Sequence, residues 1–178
     1  MQNSSNDKVQ DCSYFPARGP VLLLSCMDLR LVDDVVRFME HDGLTNRYDH
    51  VIMAGAALGA LGANRKDYKH WRKTFMNHLE TAHKLHRIKD VYILEHRDCG
   101  AYREFLGPRG TFDDTQYKKE LKTHRCYARQ LTCVIEDWAE KVGTKLNVKS
   151  FLMDLRGNVC IMTPHKKKKK CHNSDVYC

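Results

Sequence analysis

The stretch VLLLSCMDLR, residues 21–30, decides the fold class, because a short apolar run passes directly into a series of polar side chains. Residues 21–25 are apolar apart from the final serine, which is typical of a strand that is covered on both faces. Similar short apolar runs lie at residues 50–54 and 91–95, and they alternate with longer amphipathic stretches. This alternation predicts an α/β fold with a mainly parallel β-sheet flanked by α-helices.

The amphipathic stretches predict three main helices and a terminal strand pair. Apolar residues recur at helical spacing in three segments, residues 31–39, 71–85 and 113–142. Gly43 is placed to end the first helix, and Asp113 is placed to cap the third. Two apolar runs at residues 151–155 and 159–162, separated by a glycine-containing turn, predict a terminal antiparallel strand or hairpin.

The length of the chain, 178 residues, predicts one domain with two tails. We expect a polar N-terminal arm at residues 1–18, a folded domain at residues 19–164 and a Lys-rich C-terminal tail at residues 165–178. No apolar run approaches the roughly 20 residues of a membrane span, and no run resembles a signal-peptide core. The sequence therefore predicts a soluble cytoplasmic protein without a membrane partner.

The formal net charge is +8, but five of the positive charges are consecutive lysines at residues 166–170. A nucleic-acid-binding protein usually carries its positive charge as a patch across the fold, so nucleic acid is not an expected partner. The chain also has 8 cysteines. In an unexported protein we expect cysteines to act as metal ligands, nucleophiles or buried apolar residues rather than to form disulfides.

Three reactive side chains follow the first predicted strand at alternating positions. In an extended loop, Cys26, Asp28 and Arg30 project to one side, and Met27 and Leu29 turn toward the core. A thiol, a carboxylate and a guanidinium are therefore expected to share one side of this loop.

A second group of reactive side chains follows the third predicted strand. His96 and Cys99 lie three residues apart, which places both on one face of a turn. Ligands collect at the carboxyl ends of parallel strands, so the two groups are expected to converge. Two thiolates and one imidazole suit tetrahedral zinc, with a fourth position for water or for Asp28. The alternative interpretation is a buried thiol at Cys26, a loop ion pair between Asp28 and Arg30, and a core histidine at His96.

The paired motifs, Cys-x-Asp-x-Arg at residues 26–30 and His-x-x-Cys-Gly at residues 96–100, resemble those of the β-class carbonic anhydrases. The resemblance extends over residues 20–162, including the order of strands and helices. It implies a small α/β fold and a homodimer or higher homo-oligomer. It also implies that one Zn²⁺ ion is held by Cys26, His96 and Cys99.

The resemblance implies an activity, the reversible hydration of carbon dioxide to bicarbonate by a zinc-bound hydroxide. In this interpretation Asp28 orients the nucleophile, and Arg30 keeps Asp28 ionised and away from the metal. Without Arg30, the Asp28 carboxylate is free to become the fourth ligand in a closed state. Asp28 and Arg30 are therefore the expected catalytic residues.

The sequence departs from the family after the second predicted strand. Family members commonly have Arg-Asn-Ala-Gly-Asn there, whereas residues 52–57 of this chain are IMAGAA. The Ala-Gly pair remains without its polar neighbours, which predicts a more apolar pocket. This departure leaves two alternatives open, a zinc hydrolase of carbon disulfide or carbonyl sulfide, and a non-catalytic zinc- or bicarbonate-binding homologue.

Overall fold

Five strands form one sheet in the order β2-β1-β3-β4-β5 in the computed structural model, which describes residues 14–162. The strands are β1 Val21–Ser25, β2 Tyr48–Ile52, β3 Asp90–His96, β4 Asn147–Met153 and β5 Val159–Ile161. The first four strands are parallel, and β5 pairs with β4 in the antiparallel direction. The predicted fold class, including the terminal antiparallel pair, is confirmed.

The described residues contain five α-helices. They are α1 Val32–His41, α2 Ala57–Ala60, α3 Lys69–His86, α4 Gly100–Leu106 and α5 Tyr117–Lys141. The three predicted helices correspond to α1, α3 and α5. At the start of the third, Asp113 caps a short 3₁₀ turn at Asp114–Gln116 by accepting a hydrogen bond from the Thr115 amide at 2.9 Å. The helices α2 and α4 were not predicted, because they have only 4 and 7 residues and show no full period of apolar side chains.

The helices cover the two faces of the sheet unequally. Leu22 and Leu24 of β1 point into a core that also contains buried side chains of α2, α3, α4 and α5. Val21 and Leu23 point to the opposite face, into a smaller core that contains α1. Alternate residues of β1 are thus buried on opposite faces, which explains why the strand is an unbroken apolar run.

The second strand differs from its prediction in both position and burial. It occupies Tyr48–Ile52 rather than residues 50–54, and within residues 14–162 it is an edge strand of the sheet, with β1 as its only neighbour. His50 and Ile52 are exposed. The prediction of a buried strand was wrong, because a β-branched apolar run does not reveal whether a strand has one neighbour or two.

The segment before β1 packs on the α1 face of the sheet. The Tyr14 hydroxyl donates a hydrogen bond to Asp42 Oδ1 at 2.5 Å, and the Ala17 amide donates to the Tyr92 hydroxyl at 2.8 Å. These contacts fix the start of the described chain against the core. The expected domain boundaries stay predictions, and most of the arm and all of the Lys-rich tail lie outside the described residues.

The cysteines of the described residues fall into two groups. Cys26 and Cys99 are free thiols, whereas Cys126, Cys133 and Cys160 are disulfide-bonded. The expectation that the cysteines would not form disulfides was wrong for these three. It rested on an assumed reducing compartment, which the residues themselves do not establish. Within residues 14–162 no helix has the length and apolar character needed to cross a membrane, and the cellular location stays a prediction.

Candidate metal centre

Three candidate ligands converge at the carboxyl edge of the sheet because β1 and β3 are adjacent and parallel. Cys26 directly follows β1, His96 is the last residue of β3, and Cys99 is the N-cap of α4. Their ligand atoms all lie within 4.8 Å of one another, and the two sulfur atoms are 3.8 Å apart. Of the residues described, only these three form such a group of possible metal ligands. The structure therefore brings together the residues that the two motifs single out.

The surroundings of His96 suit a metal ligand. Its Nδ1 lies 2.8 Å from the carbonyl oxygen of Arg97, which favours the proton on Nδ1 and leaves a lone pair on Nε2. Nε2 is buried and has no hydrogen-bond partner among the described residues. A buried polar atom without a partner is costly, and metal-binding histidines commonly donate their other ring N–H to a carbonyl group. His96 thus fits a metal ion better than it fits a satisfied core histidine.

The two thiols have opposite pKa shifts. The hydrogen bond with Cys99 lowers the pKa of Cys26, and burial opposes this effect without cancelling it. The hydrogen bond from the Gly55 amide lowers the pKa of Cys26 further. The same contact with Cys26, together with burial, raises the pKa of Cys99. These directions favour the ionised form at Cys26, and a bound cation would replace the proton on Cys99.

Asp28 and Arg30 form a two-point ion pair beside the ligand cluster. Arg30 Nε donates to Asp28 Oδ1 at 2.9 Å, and Arg30 Nη2 donates to Asp28 Oδ2 at 2.8 Å. These hydrogen bonds are the main reason why the pKa of Asp28 is lowered to about 2. Asp28 Oδ2 also lies 3.8 Å from His96 Nε2. An ionised carboxylate is thus held next to the ligands without belonging to them.

The guanidinium of Arg30 is shared with a second acidic residue that the sequence analysis did not identify. Arg30 Nη1 donates to Asp98 Oδ2 at 2.9 Å, and Nη2 donates to the Asp98 carbonyl at 3.0 Å. Glu120 of α5 accepts hydrogen bonds from the Asp98 amide at 2.6 Å and from Arg97 Nε at 2.9 Å. Glu120 is only 1% exposed. In the sequence, Glu120 is recognisable as an acidic residue on the buried face of α5, four residues before His124.

The loop after β1 differs from its prediction in one respect. Met27 and Leu29 do not turn toward the core, because they are 66% and 86% exposed. Residues Leu29–Leu31 form a 3₁₀ turn instead of continuing the extended chain, and Leu31 is the residue that becomes buried. The prediction was wrong because strict alternation of side chains holds only while the backbone stays extended.

The divergent segment between β2 and α2 closes the buried side of the site. The Gly55 amide lies 3.3 Å from Cys26 Sγ. Gly55 has a φ of 74°, and a Cβ atom on it would lie 3.2 Å from the Cβ of Ala101. Ala56, Ala57 and Leu58 are fully buried. Backbone and apolar side chains therefore lie where the β-class pattern has polar side chains.

Comparison with other sequences identifies relatives in Rickettsia. An uncharacterised protein of Rickettsia conorii is 36% identical over 138 residues, which are 78% of this chain and 69% of the relative. An uncharacterised protein of Rickettsia bellii is 35% identical over 136 residues, which are 76% of this chain and 77% of the relative.

Comparison with solved structures shows the fold. The β-carbonic anhydrase CafA of Aspergillus fumigatus matches with a TM-score of 0.51 at 16% identity, over 80% of this chain and 74% of that chain. A tetrameric β-carbonic anhydrase of Sordaria macrospora matches with a TM-score of 0.52 at 13% identity, over 80% of both chains. The sequence profile of the family described as putative carbonic anhydrase matches residues 19–145. This chain therefore belongs to the putative carbonic anhydrase family, as a divergent member with the β-carbonic anhydrase fold.

Proposed function

We propose that the protein is a zinc-dependent carbonic anhydrase of the β class that reversibly hydrates carbon dioxide to bicarbonate. The observation that supports this proposal is the convergence of Cys26, His96 and Cys99 next to an ionised Asp28. Family membership supports the same activity, although the relatives in Rickettsia are themselves uncharacterised.

The donor set favours zinc as the metal. Thiolate sulfur and imidazole nitrogen are ligands that zinc prefers, whereas magnesium and calcium prefer oxygen. Zinc held by three protein ligands keeps an open position and supplies Lewis-acid activation of water at neutral pH. Cys26, His96 and Cys99 are the residues that would hold it.

Asp28 and Arg30 have separate tasks in the proposed reaction. The Asp28 carboxylate accepts a hydrogen bond from the attacking water and thereby directs the water's lone pair toward the carbon atom. Arg30 keeps Asp28 ionised through two hydrogen bonds and holds it out of the ligand set. Since Asp28 Oδ2 is 3.8 Å from His96 Nε2, a carboxylate released by Arg30 is close enough to compete for the fourth ligand position.

A second candidate reaction follows from the apolar segment at residues 56–58. Fully buried alanine and leucine side chains there replace polar groups, so the site offers few hydrogen-bond donors to a polar substrate. Carbon disulfide and carbonyl sulfide are linear apolar molecules related to carbon dioxide. Parallel assays of carbon dioxide hydration and of carbon disulfide and carbonyl sulfide hydrolysis separate the two candidates. The substrate with the highest kcat/KM identifies the reaction.

We also propose that the protein forms a homodimer through the surface around α1. Leu29, Val32, Val36 and Ile52 are all exposed, and Val32 and Val36 lie one turn apart on α1. Exposed apolar side chains in one region of a protein commonly mark an interface. A Leu29→Asp variant should be monomeric in light scattering, and a variant that remains dimeric would exclude this surface.

Stopped-flow hydration of carbon dioxide on protein of measured zinc content tests the proposed activity. We expect about one zinc per chain and hydration that rises between about pH 7 and 9. The Cys26→Ser variant should lose both zinc and activity. Full zinc occupancy without hydration across this pH range would exclude carbon dioxide hydration and leave the two alternatives, the hydrolase of carbon disulfide or carbonyl sulfide and the non-catalytic zinc-binding homologue.

A further inference from the structure

A buried carboxylate and imidazole pair lies beneath the candidate metal centre and has no task in the proposed reaction. Glu95 Oε2 lies 2.9 Å from His124 Nδ1, and the two side chains are 1% and 0% exposed. His124 also packs against Tyr102, with ring centroids 4.0 Å apart and the ring planes tilted by 45°. The pair joins β3 to α5 in the middle of the larger core. Burial of such polar groups is costly, so their presence needs a physical reason.

The second oxygen of Glu95 binds the backbone of the divergent segment. Glu95 Oε1 accepts a hydrogen bond from the Ala57 amide at 2.9 Å in a buried position. The preceding residue, Ala56, has a φ of 41° and a ψ of −106°. A positive φ of this kind is a backbone conformation that a residue with a Cβ atom rarely adopts and that glycine adopts readily. The Ala57 hydrogen bond therefore holds a strained backbone in place.

The strained backbone directs one amide at a candidate metal ligand. Gly55 immediately precedes Ala56, and its amide lies 3.3 Å from Cys26 Sγ. An N–H group that points at a thiolate withdraws electron density from the sulfur and stabilises its ionised form. If residues 55–57 relaxed to an unstrained conformation, the Gly55 amide would turn away from the sulfur.

We propose that Glu95 and His124 are positioning residues of the metal centre, which fix the strained Ala56 backbone so that the Gly55 amide donates to the Cys26 thiolate. The link runs from His124 to Glu95, then to the Ala57 amide, and through Ala56 to the Gly55 amide. This inference rests on the proposed metal centre and adds to it a control of sulfur electron density from the buried side. Neither residue contacts the substrate.

Cobalt(II) provides a probe that reports on the sulfur directly. When cobalt replaces zinc in the full-length protein, a thiolate ligand gives a charge-transfer absorption band in the near ultraviolet. Loss of the Gly55 hydrogen bond makes the sulfur more electron-rich and moves this band to longer wavelength. A change in overall stability alone does not move the band.

Two substitutions of similar volume separate the hydrogen bond from packing. Glu95→Gln keeps an oxygen for the Ala57 amide, so its cobalt band should stay at the wild-type wavelength. Glu95→Met removes the acceptor, so its band should shift to longer wavelength, and its affinity for the metal should fall about 10- to 100-fold. Should Glu95→Met fail to fold, Glu95→Asp serves instead, since its shorter side chain cannot reach Ala57 and His124 together.

A rescue variant and a control complete the test. Ala56→Gly relieves the strain, so in the Glu95→Met or Glu95→Asp background it should move the band back toward the wild-type wavelength. Leu131→Ala, a truncation of a fully buried side chain in α5, should lower the melting temperature without moving the band.

Two results distinguish a failure of the proposed metal centre from a failure of the proposed positioning role. If the wild-type protein binds cobalt without a thiolate band, the proposed metal centre itself is wrong. If the wild-type protein shows the band but the folded Glu95→Met and Glu95→Asp variants show it at the same wavelength, the positioning role is wrong and the metal centre remains.

Discussion

Two hydrogen-bond networks flank the metal-ligand cluster, and they differ in their contact with water. On the outer side, Arg30 binds Asp98 and Asp28, and the Arg30 and Asp98 side chains are 42% and 48% exposed. On the inner side, Glu95 binds His124, and both side chains are almost completely buried. Water weakens the outer ion pairs by competing for them, whereas the inner pair has no solvent with which to exchange partners.

This difference assigns different tasks to the two networks. A group that must accept a hydrogen bond from a reacting water, as proposed for Asp28, needs access to that water. A group that holds a strained backbone, as proposed for Glu95, needs the opposite, because a competing water molecule would release the backbone. We therefore expect substitutions in the outer network to change activity more than stability. Removal of a buried carboxylate should change stability more than activity.

The largest expected effect is the loss of the metal when any candidate ligand is removed, since both networks support the same three ligands. Cys26→Ser, His96→Ala and Cys99→Ser should each reduce zinc from about one per chain to a small fraction, because three protein ligands are the minimum for a tight zinc site. Elemental analysis of purified protein measures this. The control is His78→Ala, which removes an exposed histidine of α3 and should leave zinc in place. Undiminished zinc in all three ligand variants would contradict the assignment.

The next effect concerns the outer network. Arg30→Ala should keep its zinc and lose about 10- to 100-fold in hydration rate at about pH 8–9, because Asp28 is then free to leave its position. Its melting temperature should change little, since the ion pair is partly exposed.

A matched control exists for this substitution. Arg37 also pairs with an aspartate, Asp34, but on the outer surface of α1. Arg37→Ala should therefore leave hydration unchanged. Near wild-type hydration by Arg30→Ala would show that the Asp28 and Arg30 pair has no part in the reaction.

The central strands were predictable from the sequence because burial on both faces leaves an apolar pattern within the strand itself. β1 and β3 have a neighbour on each side and a helix layer on each face, so their side chains are apolar in unbroken runs. β2 has one neighbour, and its mixed burial made its bounds uncertain by two residues. The direction of the terminal strand pair followed from the short turn that connects β4 and β5.

The candidate ligands were predictable for a related reason, and the residues that support them were not. Cys26, His96 and Cys99 lie next to strand ends, where adjacency in the sheet brings them together. Glu95 and Glu120 depend on partners 29 and 22 residues away, in elements whose relative orientation the sequence does not specify. A single acidic residue within an apolar pattern indicates that a partner exists without indicating which residue it is.

The third prediction compares a buried carboxylate of α5, Glu120, with an exposed one in the loop after β3, Asp98. Glu120→Ala should lower the free energy of unfolding by about 2–3 kcal/mol, because it removes a buried carboxylate and leaves the Asp98 amide and Arg97 without their acceptor. Asp98→Asn removes only partly exposed ion pairs, with Arg30 and with Arg103, and should cost less than about 1 kcal/mol. Urea denaturation at saturating zinc measures both. Equal losses would show that burial does not separate these two carboxylates.

The smallest effect is expected at Asp154, a carboxylate of the turn between β4 and β5 that belongs to neither network. It accepts hydrogen bonds from the Arg156 amide at 2.8 Å and from the Asn158 amide at 2.9 Å. Partial burial opposes its ionisation, but the hydrogen bonds from Asn158 and Arg156 outweigh this and hold the pKa of Asp154 below its ordinary value.

Because the folded state lowers this pKa, the ionised form stabilises the fold above about pH 4, and the stabilisation is lost as the pH falls through the folded-state pKa. Asp154→Asn lacks the charge at every pH, so its melting temperature should lie below that of the wild type at about pH 6 and approach it at about pH 2–3. The difference should correspond to less than about 1 kcal/mol, since water screens a partly exposed group. A difference that stays constant or grows as the pH falls would show that the charge of Asp154 does not stabilise the turn, and that the asparagine acts only through altered backbone hydrogen bonds.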